Sequence, residues 1–205
     1  MRNSPVLAFV VGSYNRPSRM RTCLASLIDQ SMPEIEIVVT DNSDDLDCRK
    51  KIEELCKVDP RIRYEWTHDR SLTNFPDVSI PSLYDAAEIG IKMTTAPWLN
   101  FPNCDSYFVP WFVERMLKSA EENNAEFVYC DFVQGRPDMR HHFFDSYPCG
   151  GRIDKTNFIM KREWFPDEWP GKIHVYGMAD GVLVNELVAK GIKICKLPEL
   201  LVVHN

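Results

Sequence analysis

The strongest constraint on this chain is an alternation along its first third. "PVLAFVVGSY" is an unbroken apolar run that ends in Gly and polar residues. "RPSRMRTCLASLIDQS" follows, with Met20, Cys23, Leu24, Leu27 and Ile28 at helical spacing. "EIEIVVTDNSDD" is a second apolar run, "CRKKIEELCKV" a second amphipathic segment, and "IRYEWTH" a third run with alternating character. A strand covered on both faces reads as continuous apolar sequence, because neither side meets water. Strand, helix, strand, helix, strand in that order predicts a parallel sheet joined by right-handed crossovers. Pro17 sits just inside the first helix, where a missing N–H leaves no bond unmade.

The rest of the chain continues in kind. "SLYDAAEIGIKMTT" predicts a helix, "APWLNF" a strand, "PWFVERMLKSAEENN" a helix and "AEFVYCDF" a strand. Gln134 to Lys172 reads as irregular and is rich in Pro, Gly, aromatic and charged residues. "MADGVLVNELVAKG" predicts a helix closed by Gly191, and "IKICKLPELLVVHN" one or two short final strands. No repeat, low-complexity tract or linker interrupts the 205 residues, which suffice for one domain with a real core. Hydrophobic residues at 44% and charged residues at 26% exclude a disordered or fibrous chain. A net charge of −6 argues against nucleic acid as a partner, so any bound phosphate must be held by local groups or a metal. Seven cysteines with no C-x-x-C pair read as reduced thiols in a cytoplasmic protein. The N-terminus lacks a signal-peptide layout and no run is long enough to span a bilayer; a peripheral membrane contact would leave no such trace.

Chemistry-bearing residues cluster where strands are expected to end. Asp41 ends the second strand, Asp105 follows a later one in "FPNCDSYFVP", and Asp131 ends another. In an open α/β sheet, ligands bind in the crevice beyond the carboxyl ends of the strands, so three such acids are expected to line one cleft. A lone Asp at a strand end caps a turn just as readily, and the argument rests on their joint placement. The first turn, "VVGSYNRPSRM", has one glycine, so neither a dinucleotide fingerprint nor a P-loop is present. A hard divalent cation held by carboxylates and phosphate oxygens is the other common way to hold a nucleotide.

"VVGSYNRPSRMRTCLASLIDQSMPEIEIVVTDNSDD" resembles the opening of family 2 glycosyltransferases, which have the GT-A fold. The shared features are an apolar strand, a Tyr-Asn-Arg turn, a Leu-x-Ser-Leu-x-x-Gln helix and a strand ending in acids. "AAEIGIKMTTAPWLNFPNCDSYFVPWFVERML" is similar to the family's segment around its Asp-x-Asp, and "YGMADGVLVNELVAKGIKICKLPELLVVHN" to its acceptor-side helix and closing His. The resemblance implies a single Rossmann-like GT-A domain over residues 1–205, with a mixed, mainly parallel sheet flanked by helices. Its nucleotide-sugar half would span about 1–105 and its acceptor half about 106–205.

The same resemblance implies the roles. A nucleoside diphosphate-sugar would donate its sugar, with inversion, to a hydroxyl of a glycan, lipid-linked or other acceptor, in polysaccharide or glycoconjugate synthesis. Asp41 would accept hydrogen bonds from the base or ribose, with Tyr14, Asn15 and Arg16 flanking the nucleotide. Asn103 stands where the family has the first acid of its Asp-x-Asp, and would offer a carbonyl oxygen without charge. Asp105 would bind Mn2+ or Mg2+, joined by His204, and Asp180 would be the base that takes the acceptor proton. A helix start favours the charged form of Asp180, which also suits an ordinary helix cap. Trp164, Trp169, Phe143, Phe144 and Tyr147 either stack on acceptor sugars or pack their own loop. Two rivals stay open: a catalytically degenerate nucleotide- or sugar-binding domain, suggested by Asn103, and a nucleotidyltransferase, which would want more glycine in the first turn.

Overall fold

The computed structural model describes residues 4–67, 83–135, 142–150, 152–170 and 179–205. The expected first third is present: β1 (Leu7–Ser13), α1 (Pro17–Ile28), β2 (Ile35–Asp41), α2 (Leu46–Cys56) and β3 (Ile62–Trp66), with β1–β2 and β2–β3 paired in parallel. His68, at the end of the third predicted run, lies outside the described residues. Then follow α3 (Leu83–Met93), β4 (Trp98–Asn100), β5 (Ser106–Phe108), α4 (Phe112–Glu122), β6 (Phe127–Gln134), β7 (His142–Phe144), β8 (Phe158–Lys161), α5 (Ala179–Ala189) and β9 (Ile194–His204). The strands form one sheet in the order β3-β2-β1-β4-β8-β6-β9-β5, with β7 on β6.

β4 pairs with β1 in parallel on the side away from β2, so the strand order reverses between β1 and β4. Beyond β4 the sheet becomes mixed, because β8 runs antiparallel to both β4 and β6 while β9 runs parallel to β6. The apolar run of β1 is explained by its two faces. Leu7, Phe9 and Val11 pack with Met20, Leu24, Leu27, Phe112 and Met116 from α1 and α4. Ala8 and Val10 pack on the other face with Ala87, Ile91, Phe101, Leu183 and Leu187, from α3, α5 and the chain after β4.

The segment from Gln134 to Lys172 departs from the irregular reading. It holds β7, β8 and the 3-10 turn Arg162–Trp164; residues 136–141, 151 and 171–172 of it lie outside the described set. Three- and four-residue strands are too short to show a period, and β8 exists because β4 and β6 flank it. β9 is one strand of 11 residues rather than two short ones. Its register against β6 shifts around Asp131, beside the Pro198–Glu199 stretch, which is where a strand tolerates proline. Gly191, at φ 74°, closes α5 as expected. Its N–H donates to Val188 O at 3.0 Å and that of Ile192 to Leu187 O at 3.5 Å, a left-handed C-terminal cap.

Candidate active site

The crevice at the β1/β4 reversal gathers most of the predicted residues. Asn103 bridges to Gly12 at the end of β1, and β5 brings Ser106 opposite His204 on β9. Asp105 is the centre. Its Oδ2 lies 3.1 Å from Arg16 Nη1 and 3.6 Å from Arg19 Nη1, and its Oδ1 lies 3.6 Å from His204 Nε2. The Asn103 amide nitrogen is 3.2 Å from the same His204 Nε2. On the far side of the ring, Nδ1 is 3.4 Å from Asp154 Oδ2. Cys104, between the two site residues, is buried; burial and then the Asp105 charge push its thiol up to about 11, so it packs rather than reacts.

One wall of the crevice is braced by hydrogen bonds between the first turn and the chain just after β2. Asn15, at φ 51°, occupies the left-handed region that asparagine tolerates. Its N–H donates to Ser43 Oγ at 2.9 Å, its side-chain nitrogen donates to Asp44, and its side-chain oxygen accepts from Asp45 N–H at 3.2 Å. Tyr14 OH donates to Asp44 Oδ2 at 2.9 Å. Asp41 itself is fully buried. Its Oδ1 accepts from Ser43 Oγ at 2.6 Å and Ser43 N–H at 3.2 Å, and its Oδ2 from Tyr64 OH at 3.1 Å. Burial raises its pKa, and these bonds work against that rise. Asp41 therefore fixes the Ser43 turn, and any ligand bond would use lone pairs left beside three existing bonds.

Asp180 starts α5 and is 8% exposed. Its Oδ1 accepts from Gly181 N–H at 2.8 Å and its Oδ2 from Lys155 N–H at 3.2 Å. Burial, and then the charge of Asp154, push its pKa up to about 6, so burial outweighs the helix-start preference for the charged form. Asp154 goes the other way. Burial opposes its ionisation, but the hydrogen bond and charge of His204, and Thr156, hold it well below the carboxylate range. For His204, burial lowers the pKa while Asp154 and Asp105 raise it further, for a net rise. The environments of these two neighbouring carboxyls drive their pKa values apart.

Asp154 and Lys155, which the sequence reading left without a role, complete this region. "DKTN" forms a tight turn in which Thr156 N–H donates to Asp154 Oδ1 at 2.8 Å and Asp154 N–H donates to Asn157 Oδ1 at 2.9 Å. Asn100, at the end of β4, clamps the turn by donating to Thr156 O and Phe158 O at 2.9 and 2.6 Å. An Asp-x-Thr-Asn string is a turn signal; only the fold shows that the turn faces the cleft. Arg19 was likewise read as a helix residue. Asp131, expected in the same cleft, instead accepts from Ser146 N–H at 3.0 Å and pairs with Lys196 at 3.0 Å. Trp169 is 1% exposed and packs on Tyr84, Phe101 and Phe165, which settles it as core. Trp164 also packs at the edge of the core, whereas Tyr147 is 62% exposed. The side chains of Phe143 and Phe144 lie outside the described residues.

Asp105 Oδ1 and His204 Nε2 lie 3.6 Å apart, and with the imidazole neutral these two side chains would be the ones to hold a cation. A carboxylate behind Nδ1, here Asp154, is the usual support of a ligating imidazole. Among the described residues no three His, Cys, Asp or Glu side chains form a metal cage. Asp105 and His204 alone would leave a site open, to be completed by phosphate oxygens and water.

The sequence model of the family described as "Glycosyl transferase family 2" matches residues 8–71. The chain is 25% identical over 136 residues to an uncharacterized glycosyltransferase, EpsJ, of Bacillus subtilis (strain 168), covering 66% of this chain and 36% of that protein. It is 26% identical over 133 residues to an uncharacterized glycosyltransferase of Haemophilus influenzae, covering 62% and 40%. The chain thus spans well under half the length of these relatives. Among solved structures, S. aureus TarS 1-349 superposes with a TM-score of 0.68 at 15% identity, covering 97% of this chain and 60% of that one. Mannosyltransferase PcManGT from Pyrobaculum calidifontis, in complex with GDP-Man and Mn2+, does so with a TM-score of 0.72 at 15% identity, covering 98% and 57%. Fold and cleft define the class, a GT-A glycosyltransferase fold. Within that class the chain is similar to glycosyl transferase family 2, whose model matches residues 8–71.

Proposed function

We propose that this domain transfers a sugar, with inversion, from a nucleoside diphosphate-sugar to an acceptor hydroxyl. The observation that carries the reading is Asp180: a buried carboxylate with a pKa raised to about 6, in the turn-and-helix unit that also holds Asp154 beside His204 and Asp105. A base near neutrality takes a proton efficiently without being trapped in either state. The acceptor oxygen attacks the anomeric carbon, its proton passes to an Asp180 oxygen, and the bond from that carbon to the diphosphate oxygen breaks on the opposite face. Tyr14, Asn15 and Arg16 form the nucleotide wall, and Asp41 braces it through Ser43. Asp105 and His204, with Asn103 beside them, would hold a divalent cation, Mn2+ or Mg2+. When bound, such a cation neutralises charge on the departing diphosphate. PcManGT is solved with GDP-Man and Mn2+ and TarS 1-349 with UDP-GlcNAc, which supports a nucleotide-sugar and a cation here. The acceptor side is the 145–150 stretch, which carries exposed Tyr147 and touches α5 through Gly150 and Gly181. Acceptors are glycan, lipid-linked or other hydroxyls of polysaccharide or glycoconjugate synthesis, in the cytoplasm, which the seven free thiols favour.

The test is release of nucleoside diphosphate from a panel of UDP-, GDP-, ADP- and CDP-sugars, with and without Mn2+. The proposal expects one base to be preferred and release to rise with Mn2+. No release from any donor would leave the degenerate binding domain as the better reading.

A further inference from the structure

Two arginines crowd the one carboxylate that remains at the Asp-x-Asp position. Arg16 and Arg19 both reach Asp105 Oδ2, and their side chains are 55% and 53% exposed while that of Asp105 is 8% exposed. Two positive charges on one negative leave one positive charge facing the crevice. The placement also runs against helix electrostatics. The first turn of a helix favours acids and a side-chain cap, yet α1 begins with these arginines, has no acid there and has no capping side chain. A local rule broken without structural gain marks a functional position. Lys155 lies in the neighbouring turn, where burial opposes its charged form and Asp154 and Asp180 favour it. It is 6% exposed, and among the described residues its ammonium has a ring contact with Tyr84 at 5.9 Å and no ion pair or hydrogen bond. Asn103, meanwhile, brings no charge where a second acid would draw a cation more strongly.

We propose that Arg16 and Arg19 are diphosphate-binding residues that exchange partners: they rest on Asp105 and move to the donor's phosphates when a cation takes Asp105. The inference rests on the nucleotide-sugar reading above. The guanidinium fork matches phosphate oxygens in geometry and stays charged at any working pH. The resting ion pairs are exposed on the arginine side, where water screens the guanidinium charge, so the arginines can leave for a better partner. Exchange makes two consequences follow. The arginines compete with the cation for Asp105, and the diphosphate keeps an affinity that needs no metal. Cation and nucleoside diphosphate therefore bind with positive cooperativity, each releasing the other's partner.

The experiment is titration calorimetry on the wild type and on the double variant Arg16→Gln with Arg19→Gln. The probes are Mn2+ alone, then UDP, GDP, ADP and CDP in EDTA, with the corresponding nucleosides as controls. Exposed side chains at these positions leave the melting temperature of the double variant near wild type. The variant is expected to lose about tenfold or more in affinity for the preferred diphosphate in EDTA, the scale of losing charge-assisted hydrogen bonds, with nucleoside binding unchanged. Affinity for Mn2+ alone is expected to rise about 2–5-fold, because Asp105 loses its competitors. Equal diphosphate affinity in both proteins, or weaker Mn2+ binding in the variant, overturns the proposal. So does a wild type that binds none of the four diphosphates in EDTA. Arginine-dependent binding in a protein that releases no diphosphate from any nucleotide-sugar would instead refute the transfer reading and leave the clamp standing.

Discussion

At the scale of single residues, Asp154 and Asp180 show one turn setting two carboxyls to different states. Asp154 is held ionised by His204 and Thr156, and its charge, added to burial, lifts Asp180 to about 6. The consequence is a pH dependence of transfer with a definite sign. A base whose pKa is raised is protonated, and idle, over a wider acid range. The turnover number at saturating donor is therefore expected to climb as pH rises through about 6 and to level above 7. A profile that levels by pH 4.5 would mean that an ordinary, solvated carboxylate does the work. Asp105 in the same crevice is held from three sides, by Arg16, Arg19 and His204.

At the scale of elements, the site depends on how closely α5 approaches the 147–152 turn. A Cβ on Gly181 would come within 2.5 Å of Gly150 Cα, a backbone atom that has nowhere easy to go. Gly181→Ala is therefore expected to push α5 and its Asp180 away from the turn. Overpacking of this kind costs about 1–3 kcal/mol, so the melting temperature falls by several degrees. Transfer should fall further than diphosphate binding, since the nucleotide wall belongs to α1 and β2. An unchanged melting temperature together with unchanged transfer would remove the contact from the account. The elements themselves were readable in the sequence to an uneven degree. The five helices and β1 to β3 announce themselves because each carries a period or an apolar run of useful length. β5, β7 and β8 do not, because strands of three or four residues are made by their neighbours rather than by their own pattern. The site was similarly split. Asp41 and Asp105 stand at or just after strand ends, where sequence order marks them, whereas Asp180 was legible only through the family resemblance. Arg19 and Lys155 become visible as cleft residues only once α1 and the 154–157 turn are packed against the β1/β4 crevice.

At the scale of the whole molecule, a chain of net charge −6 places arginines at the mouth of its crevice. Under the proposed function, recognition of an anionic donor would be local, carried by a few short-range contacts, with the overall field opposing approach. The reversal of strand order between β1 and β4 puts the ends of β1, β2, β5 and β9 around that crevice, and the parallel-to-mixed change beyond β4 brings the Asp154 turn and α5 to its other side. The central claim is that this one crevice joins a diphosphate site to a separate base. The measurement that tests it most directly compares wild type and Asp180→Asn for two quantities, the rate of sugar transfer and the affinity for the nucleoside diphosphate. Loss of a positioned base costs about 10²–10⁴-fold in rate, whereas the phosphate contacts come from other elements. The account predicts a folded variant with transfer reduced by about that factor and diphosphate affinity unchanged within about twofold. A folded Asp180→Asn protein that transfers sugar at the wild-type rate would contradict it.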